Sequence, residues 1–89
     1  MLSEFILQSV FTVGGKVVLM GRVTKGEIKT GMKATIGKDN GQILDIESFG
    51  KHPTSIKFGD KEAAAVGISI SNVSTKEAQS HLNSKIEFQ

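Results

Sequence analysis

Apolar and polar residues alternate with a period of two through most of this chain, and hardly anywhere with the 3.6-residue period of a helix. In EFILQSVFTV, residues 4–13, Phe5, Leu7, Phe11 and Val13 share one face, interrupted only by Ser9, while Ile6, Gln8, Val10 and Thr12 share the other. The pattern predicts a strand with one strongly buried side. Gly14-Gly15, where positive φ is sterically cheap, predicts a tight turn, and KVVLMGRV, residues 16–23, returns as a strand apolar on both faces until Arg22. Met32, Ala34 and Ile36 alternate with Lys33 and Thr35 as a third strand, and Asp39-Asn40-Gly41 carries the turn signal that follows it. In QILDIESF, residues 42–49, Leu44 and Ile46 occupy one face and Asp45 and Glu47 the other, where Ile43 and Phe49 are apolar exceptions.

The next stretch is ambiguous. Pro53 and Gly59 bracket Ser55 to Phe58, which is either an edge strand or a loop. Alternation resumes with Val66, Ile68 and Ile70 against Gly67, Ser69 and Ser71. STKEAQSHL, residues 74–82, begins a short helical turn, with Ser74 or Thr75 as cap and Glu77 three residues after Ser74 as in a capping box. In the last run Ile86 and Phe88 point inward around Glu87. Six or seven short strands without a long helix predict an all-β fold, a small closed antiparallel β-barrel, because closure removes the exposed edges of a lone sheet. Its interior is expected to hold Leu7, Phe11, Val17, Leu19, Ile46, Ile68 and Ile70, and Phe49 and Phe58 are assigned to the core in preference to a stacking platform.

At 89 residues the chain reads as one domain, 1–89, with a modest core that buries about 60 to 65% of the unfolded surface. It contains no cysteine, which excludes a disulfide framework and thiolate metal sites. The opening MLSEFILQSVF has no basic leader, its apolar run breaks at Gln8 and Ser9, and nothing approaches the ~20 apolar residues of a membrane span. A soluble, cytoplasmic protein without a membrane partner is expected. The formal net charge is only +2, yet it is unevenly placed. Lys16, Arg22, Lys25, Lys29, Lys33 and Lys38 face only Glu4 and Glu27 before residue 39, whereas the remainder is net acidic. This asymmetry fits either a nucleic-acid footprint or a lysine-rich solvated face that blunts sheet edges.

Catalytic constellations are missing. His52 and His81 are far apart in sequence, no metal-ligand spacing occurs, and the serines stand in no nucleophile motif. Asp45 and Glu47 share a strand face, the arrangement of surface acids that solvate a sheet as much as of a carboxylate pair. No enzyme activity, catalytic residue, metal or cofactor is expected. Nor is VVLMGRVTKGEIKTGMKATIG, residues 17–37, a phosphate loop: Gly21, Gly26 and Gly31 lie between strands, and no helix follows to aim its N-terminus at an anion.

The spacing of these glycines instead resembles the second domain of the translational GTPases, the β-barrel of the elongation factor Tu family. VFTVGGKVVLMGRVTKGEIKTGM, residues 10–32, matches its Val-Phe strand, glycine hairpin and Gly-Arg-Val-x-x-Gly-x-Ile-x-x-Gly run. ILDIESF and AVGISISNV are similar to later strands of the same barrel, so that the resemblance covers nearly the whole chain. Gln8 and Ser9 stand where the family has an acidic pair, and Gly50 where it has a basic residue. These 89 residues hold no GTPase domain of that family's kind, so GTP hydrolysis by that machinery is not expected of them. The resemblance implies a binding module for RNA, transfer or ribosomal, or for a translation-related protein or ribonucleoprotein; the alternative is a protein-interaction or oligomerisation barrel. It places Val13, Val18 and Glu47 at positions that hold the terminal adenine of a transfer RNA, and the basic residues Arg22, Lys25, Lys29 and Lys33 complete the expected RNA- or partner-binding set. Arg22 is weighed between a phosphate contact and a structural cap on strand carbonyls, with a slight preference for the cap. His52 is assigned to an exposed loop.

Overall fold

The computed structural model describes residues 2–89. Eight strands form in chain order: β1 Ser3–Val13, β2 Lys16–Lys25, β3 Glu27–Lys29, β4 Lys33–Ile36, β5 Asp39–Glu47, β6 Ser55–Lys57, β7 Val66–Ser71 and β8 Lys85–Phe88. A 3-10 turn, Lys61–Ala64, precedes β7, and a short helix α1, Thr75–Gln79, precedes β8. Six strands make one antiparallel sheet in the order β4-β5-β7-β2-β1-β8. Its two edges meet where Lys33 N–H donates to the Gln89 carbonyl at 2.7 Å and Gln89 N–H returns to Lys33 at 2.9 Å. The result is the nearly closed six-stranded barrel that the alternation implied.

The core is drawn from the inward face of every barrel strand, with Phe5, Leu7, Leu19, Ile46, Ile68 and Phe88 all fully buried. One end is stoppered by the two-stranded sheet of β3 and β6, which contributes Ile28 and Ile56, and by Ala63 of the 3-10 turn. Val73 and Ala78 of the α1 segment extend the core elsewhere. Buried hydroxyls are satisfied, as burial demands: Ser48 Oγ donates to the Glu62 and Ala65 carbonyls at 2.9 and 2.7 Å, and Ser3 Oγ bonds both the N–H and the carbonyl of Glu27. The Ser74 cap forms, accepting from Glu77 N–H at 3.1 Å. Glu77 does not complete a capping box, however, because its carboxylate accepts from Lys38 N–H in the β4–β5 turn at 3.1 Å.

Two β-bulges correct the predicted faces. Leu7 pairs with Gly21 but Ser9 with Met20, so β1 advances two residues where β2 advances one. Beyond this point the parity of β1 reverses: Val10 turns toward the core, and Phe11, assigned to the interior from the sequence, stands 53% exposed. Val17 is only partly buried. In β5 a second bulge between Ile43 and Asp45 buries both Ile43 and Ile46 and turns Leu44 outward. Phe49 and Phe58, also assigned to the core, are exposed, because each lies in a turn just past the end of its strand. The turn expected at Asp39-Asn40-Gly41 forms two residues earlier, at Gly37-Lys38, with Ile36 paired to Asp39. Gly37 takes φ +61° there, leaving Asp39 free to accept from Ser74 N–H at 3.0 Å. The ambiguous segment resolves as β6, paired to β3.

Candidate functional site

The outward faces of β1, β2, β7 and β5 lie side by side, and their register sets the surface they build. Phe11 is opposite Val18, Val18 opposite Ser69, and Ser69 opposite Asp45. One rank further, Ser9, Met20, Gly67 and Glu47 are matched in the same way. A groove of about 340 Å³ follows these ranks. Phe11, Val13, Val18 and Met20 supply its apolar wall, and Asp45, Glu47 and His52 its polar one. Gly67 and Ser69 form the floor, and Lys16 also lines it.

Each residue is there for a local reason. The β1 bulge turns Phe11 and Val13 out onto this face, leaving Val13 61% exposed beside the Gly14-Gly15 turn. Gly67 leaves the dip: a Cβ built there would approach Met20 Sδ to 3.0 Å, so Met20 lies across the space that a side chain would fill. His52 Nδ1 is 2.9 Å from Asp45 Oδ2, which pins the imidazole to the polar wall. Glu47 is exposed, and among the described residues it has no ion-pair partner.

The structure therefore brings Val13, Val18 and Glu47 into one groove. The basic residues do not gather there. Arg22 follows Met20 on the outward face of β2 and is exposed, and among the described residues its side chain makes no hydrogen bond or ion pair, so the cap on strand carbonyls weighed for it does not form. Lys25 closes β2 opposite Glu4, and Lys29 sits 3.7 Å from Glu27. Lys33 lies at the barrel seam, in a broader polar depression of about 740 Å³ that includes Thr35, Asn40, Gln42 and Gln89. That depression is lined mostly by polar and charged groups, Glu87 among them, with Leu2 and Ala34, whereas the smaller groove sets Phe11, Val13, Val18 and Met20 against Asp45 and Glu47 and fits the usual form of a binding site better. His52 and Phe11 are among the groove residues that sequence reasoning did not place. His52 carried no signal beyond its distance of seven residues from Asp45, and the displacement of Phe11 depended on a bulge.

The architecture defines a class: this is a translation-factor-like β-barrel. It superposes on translation elongation factor SelB from Methanococcus maripaludis, solved in its apo form, with a TM-score of 0.75 and 20% identity, covering 100% of this chain and 19% of that one. Against the bacterial selenocysteine-specific elongation factor EF-Sec the TM-score is 0.74 at 17% identity, over 96% of this chain and 14% of that one. The chain thus spans less than a fifth of the length of these factors, and at such identity the likeness defines the fold alone. No protein-family model matches the chain, and no curated protein does.

Gly67 permits a test of the groove that spares the fold. Its nearest neighbour is the end of the flexible Met20 side chain, and its φ is not in the left-handed region. Gly67→Val is expected to change stability by no more than about 1 kcal/mol in thermal unfolding. It should also fill the floor and weaken any groove ligand by about tenfold, the scale of one lost stacking contact.

Proposed function

We propose that this barrel is a non-catalytic binding module that takes an unpaired segment of RNA in the groove between β1 and β5. The observation that carries the reading is the convergence of Val13, Val18 and Glu47 from three strands onto one surface, beside the exposed ring of Phe11. Apolar side chains can sandwich a base, and a carboxylate at the edge can accept a hydrogen bond from an exocyclic amine or a ribose hydroxyl. The barrel resemblance supports a translation-related setting.

Titration of the chain with transfer RNA and with an unrelated RNA tests this directly. Binding is expected to weaken steeply with added salt, log affinity falling linearly with log salt concentration, because each phosphate contact releases condensed counterions. No association at low salt with either RNA would overturn the proposal. A second reading, a protein-interaction barrel, draws on the dispersal of Lys25, Lys29 and Lys33 away from the groove. It predicts a co-purifying protein that survives nuclease treatment and is lost in Gly67→Val.

A further inference from the structure

This inference rests on the RNA reading above and adds a contact to the same surface. β5 leads into a two-residue turn in which Ser48 and Lys51 exchange both backbone hydrogen bonds, each 3.0 Å, around Phe49 and Gly50. The central residues have φ of 53° and 76°, both in the left-handed region, as a type I′ turn requires. Asparagine, aspartate and glycine suit the first central position; a bulky aromatic does not. The other non-glycine residues with positive φ among the described residues are Asn72 and Asn83, a type that tolerates it. Burial does not compensate Phe49, since the residue is 64% exposed. Turn chemistry and solubility would both favour a different residue here, which leaves the ring itself as the property in use.

The position of this ring suggests its use. Glu47 and His52, which flank the turn in sequence, both line the groove. Glu47 is matched through Gly67 to Met20. Two residues beyond Met20, Arg22 is exposed on the outward face of β2, and two residues beyond Glu47, Phe49 stands in the turn that ends β5. Lys51 closes the turn, and Lys61 opens the 3-10 turn whose Glu62 carbonyl accepts from Ser48. Asp45, Glu47, Asp60 and Glu62 are the acids nearby in sequence or contact. An exposed aromatic ring in a turn closed by a lysine suits a splayed base and its adjoining phosphate; an apolar protein pocket would have no need of the cation.

We propose that Phe49 is a stacking platform for an unpaired RNA base at the end of the groove, with Lys51 meeting the neighbouring phosphate. The test is fluorescence anisotropy of labelled single-stranded oligoadenylate with the 89-residue chain and its Phe49→Asn, Phe49→Tyr and Phe49→Leu variants, each also melted thermally. Asparagine suits the turn, so Phe49→Asn should melt at or above the wild-type temperature yet bind about tenfold more weakly. Phe49→Tyr should retain affinity, and Phe49→Leu should lose it as asparagine does. Equal binding by Phe49→Asn and wild type would overturn the stacking assignment and leave the RNA module standing. Full retention by Phe49→Leu would also overturn it, because an apolar contact without stacking would then suffice. A wild-type chain that binds no RNA at low salt would overturn both.

Discussion

Gly21→Ala is expected to destabilise the barrel by about 3 kcal/mol, a large share of the ~5–15 kcal/mol available to a small domain. Gly21 is buried on the inward face of β2, directly opposite the β1 bulge at Leu7. A methyl group there would run into the Ile6 carbonyl oxygen and come within 2.9 Å of Phe5 Cζ and 3.0 Å of the Ile6 carbonyl carbon. The obstacle is mainly backbone of the paired strand, which cannot rotate aside as a side-chain end can, so β1 and β2 must separate locally. Urea denaturation reads the loss as a lower midpoint with little change in slope. An unchanged midpoint would show that the bulge relaxes without cost. Gly67→Val supplies the contrast, since its obstacle is the flexible end of Met20.

Phe88→Ala should cost about 3–5 kcal/mol, the range for emptying a large buried aromatic site. The Phe88 ring is fully buried and meets Phe5 edge to face, with centroids 6.1 Å apart and planes at 75°. The next residue, Gln89, forms the two backbone bonds that join β8 to β4 at Lys33. Loss of the ring should therefore loosen closure as well as the core, and the amides of Lys33 and Gln89 should exchange with solvent faster than those of the β2–β7 pair. Uniform acceleration across all strands would show instead that closure and core melt as one unit.

Local signals account for much of the fold. Gly14-Gly15 announces its hairpin, since both residues take positive φ, +57° and +80°. Ser74 announces the start of α1, because a cap hydroxyl three residues before Glu77 serves an N–H that the helix leaves unpaired. The alternation of Val66, Ile68 and Ile70 gives β7 its buried face, and Ile86 with Phe88 gives β8 the same. The site was less legible. Val13, Val18 and Glu47 line one groove, but Arg22, Lys25, Lys29 and Lys33 share no pocket, because charge counted along a chain does not say which way each strand faces.

Sequence by itself determined that short pleated strands would alternate, where most of them turn, and that a core of isoleucine, leucine and phenylalanine would lie on one side of them. Only the tertiary structure decided which residues cross from that side to the other. A bulge is an extra residue measured against a neighbouring strand, so it leaves no trace in the strand that carries it until the pair has formed. In β1 it sends Phe11 and Val13 out to the groove, and in β5 it exchanges Ile43 for Leu44 in the core. The groove is a product of pairing between strands distant in sequence, which is why β1, β2, β5 and β7 had to be placed side by side before it existed.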